Sequence, residues 1–137
     1  MWILLMALLA ADGGTGATVR IEASQLRSMK GELRCALYST ETSFPEGEPV
    51  VAQRVVLGAG VAPACEFTSV PAGTWAATAH HDENVDARIN KGLFGIPSEG
   101  YGVSNNHTYA THGPRWHEST FAVTTGEAKV ISISLRN

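Results

Sequence analysis

The strongest constraint on the fold is a repeated alternation of apolar and polar residues over short segments bounded by turn residues. Such runs predict strands, because successive side chains in a strand point to opposite faces of the sheet. We expect seven strands, at residues 18–23, 31–39, 52–57, 64–70, 74–81, 118–124 and 129–136. No stretch has the 3.6-residue period and the length of a capped helix. The predicted fold is therefore all-β, a seven-stranded antiparallel β-sandwich.

Two pairs of these strands are expected to form hairpins. A Pro-Ala-Gly turn joins the strands at 64–70 and 74–81, and a Thr-Gly-Glu turn joins the last two strands. In the first hairpin, Phe67 and Val70 are expected to pack near Trp75. The pattern F-x-x-V-P-x-G-x-W of this segment resembles hairpins in transthyretin-like and Cna-B-like sandwiches.

The beginning of the chain favours export. Residues 2–10 are uninterrupted and apolar, and Asp12 with two glycines follows them. Nine residues are too few to span a bilayer, which needs about 20, but they match the apolar part of a signal peptide. We predict a signal peptide and leader at 1–16, a single domain at 17–137, and no transmembrane span in the mature chain. The alternative is that the apolar run is a buried first strand.

The charge distribution argues against a nucleic-acid partner. The 137 residues carry a formal net charge of -3, and the 10 lysine and arginine residues are scattered along the chain. Phosphate backbones are bound by clustered basic residues, and the sequence has no such cluster.

The two cysteines, Cys35 and Cys65, both lie in predicted strands. In an exported chain an even pair favours a disulfide bond between them. The alternative is two buried thiols that behave as small apolar residues.

Three segments of the chain resemble the bacterial family DUF2141: VPAGTWAATAHHDEN, GLFGIPSEGYGVSNN and GPRWHESTFAV. The resemblance extends from about residue 19 to residue 135. It implies a periplasmic or secreted β-sandwich and no established activity. The chain departs from the family pattern at Ala87, where glycine is usual, and at Asn90, where aspartate is usual.

The segment after the predicted strand at 74–81 has oxygen-bearing residues at alternate positions, as calcium loops do: Asp82, Asn84, Asp86, the Arg88 carbonyl and Asn90. This spacing makes calcium the candidate ion. Ala87 stands where the turn glycine belongs, and Leu93 stands where a bidentate glutamate belongs. The alternative is an Asx-rich loop that hydrogen-bonds its own backbone.

Histidines and carboxylates in the same region raise two further alternatives. His81, Asp82 and Glu99 are the candidates for acid–base chemistry in a hydrolase-type enzyme, although no nucleophile motif frames the nearby serines. A transition-metal site would need one of the adjacent histidines, His80 and His81, to join a later histidine, and that wide spacing matches no compact zinc motif.

A binding function accounts for more of the region than either chemistry. Aromatic and amide side chains follow a glycine-rich loop and suit flat ligands. The alternative is that the aromatic side chains pack against one end of the sandwich. The candidate ligand-binding residues are His81, Asp82, Asn84, Glu99, Tyr101, Asn105, Asn106 and Trp116. We predict an exported, non-enzymatic binding module with its working face at 80–117, for an unknown small ligand or an envelope protein. The alternatives are the hydrolase and a structural accessory subunit of a cell-envelope complex.

Overall fold

The computed structural model describes residues 16–85, 100–106 and 112–136. Strands β1 to β8 have the following bounds, in chain order: Ala17–Ser24, Glu32–Tyr38, Val51–Val56, Ala64–Val70, Gly73–Asp82, Tyr101–Val103, Thr120–Val123 and Ala128–Ser134. A 3₁₀ turn at Ser104–Asn106 and one α-helical turn, α1, at Trp116–Ser119 accompany them. Within the described residues, no helix has the length and apolar character needed to cross a membrane. The predicted all-β class is confirmed.

The strands form two sheets. β4, β1 and β8 lie side by side, in that order, in a three-stranded sheet. The five-stranded sheet has the order β3, β2, β5, and the far edge of β5 is shared by two short strands. β7 pairs with the first half of β5, and β6 pairs with its second half. A gap therefore separates β6 from β7 along the edge of β5.

The core lies between the two sheets, because the apolar side of every long strand points inward. In β2, for example, Leu33, Cys35 and Leu37 are inward and buried, and Arg34 between them points outward. The inward residues of both sheets form one hydrophobic cluster, which includes Val19, Ile21, Leu33, Leu37, Phe67, Trp75, Ala77, Ala79, Ile131 and Ile133.

A disulfide bond joins the two sheets through this core. It links Cys35 of β2 to Cys65 of β4, whose Cα atoms are 6.4 Å apart. Both cysteines are buried. The predicted pairing is confirmed.

One part of the predicted topology is wrong: the fold is not antiparallel throughout. β1 and β8 run parallel, in a continuous register from Thr18 opposite Ala128 to Ser24 opposite Ser134. The alternation of residues decides which side of a strand is buried, but it carries no information on the direction of the neighbouring strand.

The two predicted hairpins are also wrong as pairings. β4 belongs to the three-stranded sheet and β5 to the other, so the Pro-Ala-Gly turn carries the chain from one sheet to the next. The Trp75 indole nitrogen donates to the Pro71 carbonyl at 2.9 Å, which holds this corner. Likewise β7 pairs with β5 and β8 pairs with β1. Phe67, Val70 and Trp75 do share the core, as expected.

β6 was not predicted, and it connects the two sheets. Tyr101 and Arg136 exchange two main-chain hydrogen bonds of 3.0 and 2.9 Å, so β6 touches the chain just after β8. Glycine is required in this strand, because a Cβ atom on Gly102 would meet Ile133 Cγ2 at 2.6 Å. Three residues, one of them glycine, are too short a run for alternation to reveal.

Candidate functional site

Charged residues occupy the outer face of the five-stranded sheet, where β2 begins and β5 ends. Glu32 and Arg34 of β2 point away from the core and lie opposite Asp82 and His80 of β5, respectively. Positions on the outer face of a sheet are ordinarily exposed, yet Asp82 is 0%, Glu32 6% and His80 7% exposed. Buried charges at such positions need compensating partners.

The compensation comes from arginine. Arg34 Nε lies 3.1 Å from Asp82 Oδ2, and Arg34 Nη2 lies 3.1 Å from Glu32 Oε1. Arg54 of β3 adds a longer contact of 3.5 Å to Glu32 Oε2. The guanidinium group of Arg34 thus separates two carboxylates that would repel each other across the strands. We call Glu32, Arg34, Arg54 and Asp82 the ionic cluster.

An aromatic cluster continues the same face towards the other end of the sheet. Its members are Tyr38, Phe44, Tyr101 and Trp116, packed with Ala36, Ala76 and Val103. Phe44 lies edge-on between Tyr38 and Trp116, with ring centroids 5.6 and 5.9 Å apart. Burial raises the pKa of the Tyr38 hydroxyl and outweighs its hydrogen bond with Thr78. The outer face therefore joins an ionic half to an aromatic half.

His81 lies on the opposite side of the sheet from this face. Its Nε2 atom is 2.8 Å from the Lys30 carbonyl oxygen, so Nε2 carries the proton and donates it. Within the described residues, the buried Nδ1 atom has no hydrogen-bond partner. Asp82, the next residue, points to the outer face and contacts Arg34. The described residues therefore do not bring the side chains of His81 and Asp82 into one dyad.

Glu83 fastens the loop before β2 to the end of β5. Its carboxylate accepts hydrogen bonds from Ser28 Oγ at 2.6 Å and from Arg27 Nε at 2.8 Å. The bond from Ser28, followed by that from Arg27, lowers the pKa of Glu83 below its ordinary value. This carboxylate stays ionised and holds the loop beside Glu32.

Ser104, Asn105 and Asn106 use their side chains to bind main chain on three sides. The Ser104 hydroxyl accepts a hydrogen bond from the Ala77 amide at 2.9 Å, and this bond fills the gap between β6 and β7. The same hydroxyl donates to the Ser119 carbonyl. Asn105 donates to the carbonyls of Glu118 and Thr120. Asn106 donates to the Ser132 carbonyl at 3.1 Å and accepts from the Ser134 amide at 2.8 Å. These three residues connect both sheets and α1.

A comparison with known proteins adds the family. The model of the family described as "Uncharacterized protein conserved in bacteria (DUF2141)" matches residues 21–131. The chain belongs to DUF2141. No curated protein and no solved structure matches the chain. The DUF2141 match contains the whole ionic cluster and the Ser104–Asn106 turn.

The remaining candidate residues of this DUF2141 chain fall into three groups. Tyr101 is buried in the aromatic cluster and Trp116 is half-buried beside it. Asn84 is exposed at the end of β5. Glu99, Asp86 and Asn90 lie outside the described residues.

The predicted calcium site, made of Asp82, Asn84, Asp86 and Asn90, stays a prediction, because half of its ligands lie outside the described residues. In the described parts of the chain, no group of three or more histidine, cysteine, aspartate or glutamate residues is arranged to hold a metal ion. A thermal melt with Ca²⁺ and with EDTA tests the site, because a bound ion stabilises the folded state. An unchanged melting temperature at millimolar Ca²⁺ would remove it.

Sequence reasoning missed Glu32, Arg34 and Arg54. The alternation in β2 places Glu32 and Arg34 on the other face of the strand from Leu33 and Cys35, so the sequence predicts that they point outward. Their partner Asp82 is distant in the chain, and its position opposite Glu32 depends on the register of β2 and β5. That register is a property of the folded sheet.

Proposed function

We propose that this DUF2141 domain is an exported, non-enzymatic binding module of the transthyretin-like sandwich class. Its ligand would lie on the outer face of the five-stranded sheet, at the ionic and aromatic clusters. This location refines the working face at 80–117 by adding β2. The observation that carries the proposal is the burial of two carboxylates at outward-facing strand positions.

Stability alone is a weak reason to keep such a cluster. Replacing a buried ion pair by apolar residues of similar size is often neutral or stabilising. The inner core of this domain supplies extensive apolar packing. Charges next to aromatic rings offer the combination found in small-ligand sites, which is apolar contact area with a few placed polar groups.

Binding is favoured over hydrolysis by the direction of the side chains. In the described parts of the chain, Asp82 is engaged by Arg34 and His81 bonds the Lys30 carbonyl on the other side of the sheet. A general base must reach the proton that it removes, and these two groups face different environments.

Export is supported by the disulfide and the apolar beginning of the chain. Disulfides form and persist in oxidising compartments, including the bacterial periplasm and the cell exterior. The Cys35–Cys65 bond crosses the core, and residues 2–10 have the length of a signal-peptide apolar region. The two features together support a periplasmic or secreted location.

A thermal-shift screen of the domain tests the binding function. The probes are neutral saccharides, short peptides and aliphatic amines, each added to the wild type, to Glu32→Gln and to Glu22→Gln. Glu22 is the control because it is an exposed carboxylate on the other sheet, paired with Arg20. We expect at least one class to raise the melting temperature of the wild type and of Glu22→Gln, and to lose this effect in Glu32→Gln. No stabilisation by any class, or equal stabilisation of all three proteins, would contradict the proposal.

A further inference from the structure

β3 forms one edge of the five-stranded sheet. The main-chain groups of Val55 and Leu57 point to β2, because Leu57 donates to the Gly31 carbonyl and the register continues from there. The groups of Ala52, Arg54 and Val56 therefore point away from the sheet. Within the described residues, they have no main-chain partner.

At the other long edges, side chains and one short strand bind part of the main chain. Gln53 donates to and accepts from the main chain of Glu66, at 3.1 and 2.8 Å, and so covers the edge of β4. Asn106 covers the edge of β8 at Ser132 and Ser134, and Tyr101 covers it at Arg136. Proteins protect free edges in this way because unpaired strands recruit other strands.

Arg54 is the one charged side chain of β3, and it is paired with Glu32. The strand has six residues in continuous register, without proline, lysine or a bulge. Its side chains are apolar and exposed at both ends: Val51 is 41% and Val56 is 71% exposed. A regular edge strand with exposed apolar ends can pair with another strand.

We propose that β3 pairs antiparallel with β3 of a second copy of this chain. The argument for a second copy is the symmetry of the segment: valines lie at both ends, and Gln53 and Arg54 lie in the middle. With Gln53 of each copy on the two-fold axis, Ala52 faces Arg54 and Val56 faces Val50 of the other copy. This register brings together the outward main-chain groups of Ala52 and Arg54, which form about four hydrogen bonds.

Neighbouring charges favour this register. A pairing centred on Arg54 would oppose two guanidinium groups, which is unfavourable across strands. In the proposed register each arginine faces an alanine and keeps its contact with Glu32. The self-complementary patch is the arrangement that a two-fold interface requires. The pairing joins the two five-stranded sheets edge to edge and does not involve their outer faces.

Sedimentation velocity from micromolar to millimolar concentration tests the pairing. We expect a reversible dimer of the wild type. Val56→Lys should raise the dissociation constant about tenfold or more, which corresponds to roughly 1.4 kcal/mol. Lysine at this position lies opposite Glu32 within the same sheet, so folding is retained. The control is Val130→Lys, an exposed valine of the other sheet, which should leave the dimer unchanged.

A second variant tests whether main-chain hydrogen bonds of β3 hold the dimer. Ala52→Pro removes an amide that points away from β2, so it should abolish the dimer and preserve the fold measured by circular dichroism. A wild type that stays monomeric over the whole range would overturn the proposal. An equal effect of Val56→Lys and Val130→Lys would do the same. If the wild type stays monomeric but binds a foreign peptide as a strand, the partner of β3 is another protein and the proposed dimer is wrong.

Discussion

Glu32 and Asp82 lie directly opposite each other on neighbouring strands, and the guanidinium group of Arg34 contacts both carboxylates. Replacing Arg34 by methionine leaves two buried acids without this cation. Removing one partner of a buried ion pair is strongly destabilising, and because Arg34 is partly exposed we expect a loss of about 2–4 kcal/mol.

The control for this substitution is Arg20→Met. Arg20 pairs with Glu22 at 2.8 Å on the exposed face of the other sheet, where an ion pair contributes about 0–1 kcal/mol. Urea unfolding of both variants measures the difference. Similar losses for the two would show that the ionic cluster has no special role in stability.

Asn106 replaces a strand partner for β8, and its removal should be costly. Asn106→Ala removes two solvent-exposed hydrogen bonds, to the Ser132 carbonyl and the Ser134 amide, and each contributes a net of about 0.5–1.5 kcal/mol. Asn106 has φ of 52°, so alanine also adds backbone strain. Asn106→Gly removes the side chain without that strain and isolates the hydrogen-bond term. Faster amide exchange at Ser134 in both variants is the expected local sign, and unchanged exchange would contradict it.

The lowered pKa of Glu83 predicts a specific loss of stability in acid. The folded-state pKa lies below the ordinary value of 4.5, so ionised Glu83 stabilises the protein at pH values above 4.5. This contribution is lost as the pH falls from 4.5 through the folded-state pKa. The stability difference between the wild type and Glu83→Gln should therefore be constant near neutrality and shrink in acid. Unfolding curves across this range measure it, and a difference independent of pH would refute the assignment.

The disulfide should contribute strongly to stability. Cys35 and Cys65 are 30 residues apart in sequence, and closing a loop of this size stabilises by about 3–4 kcal/mol in the chain-entropy view. We expect the double variant Cys35→Ala/Cys65→Ala to lose about this amount and to unfold identically with and without reductant. The wild type should approach the variant in reductant. A reductant effect on the variant would mean that something other than this bond is responsible.

Sequence patterns predict the strands of this protein because side-chain direction has a strict period of two. β1 and β8 show this: buried residues alternate with more exposed ones along both strands, and the buried set faces the core. Strand partners depend on contacts between residues far apart in the chain. In this protein the short turns between β4 and β5 and between β7 and β8 lead from one sheet to the other, so they do not form hairpins. The same applies to the candidate site. Asp82 was identified from its local motif, but Glu32 and Arg34 acquire their role only through the register with β5.

The amide side chains illustrate a further limit. Asn105 and Asn106 have the donors and acceptors expected of ligand-binding residues, and the sequence contains no sign of what they contact. In the folded chain these groups meet main-chain atoms of α1, β7 and β8. An amide next to a strand end can satisfy a neighbouring backbone as readily as a ligand, and only the packing of the elements decides between the two.

The parallel pairing of β1 and β8 has a mechanical consequence. A stretching force applied between Ala17 and Leu135 acts along both strands in opposite directions, so it loads the hydrogen bonds from Thr18–Ala128 to Ser24–Ser134 together. A force applied to the adjacent residues Thr18 and Ala128 would open the same bonds one after another. Single-molecule pulling should therefore require a higher force in the first geometry, and equal forces would contradict this. The domain is expected to resist tension along its length better than peeling at one end.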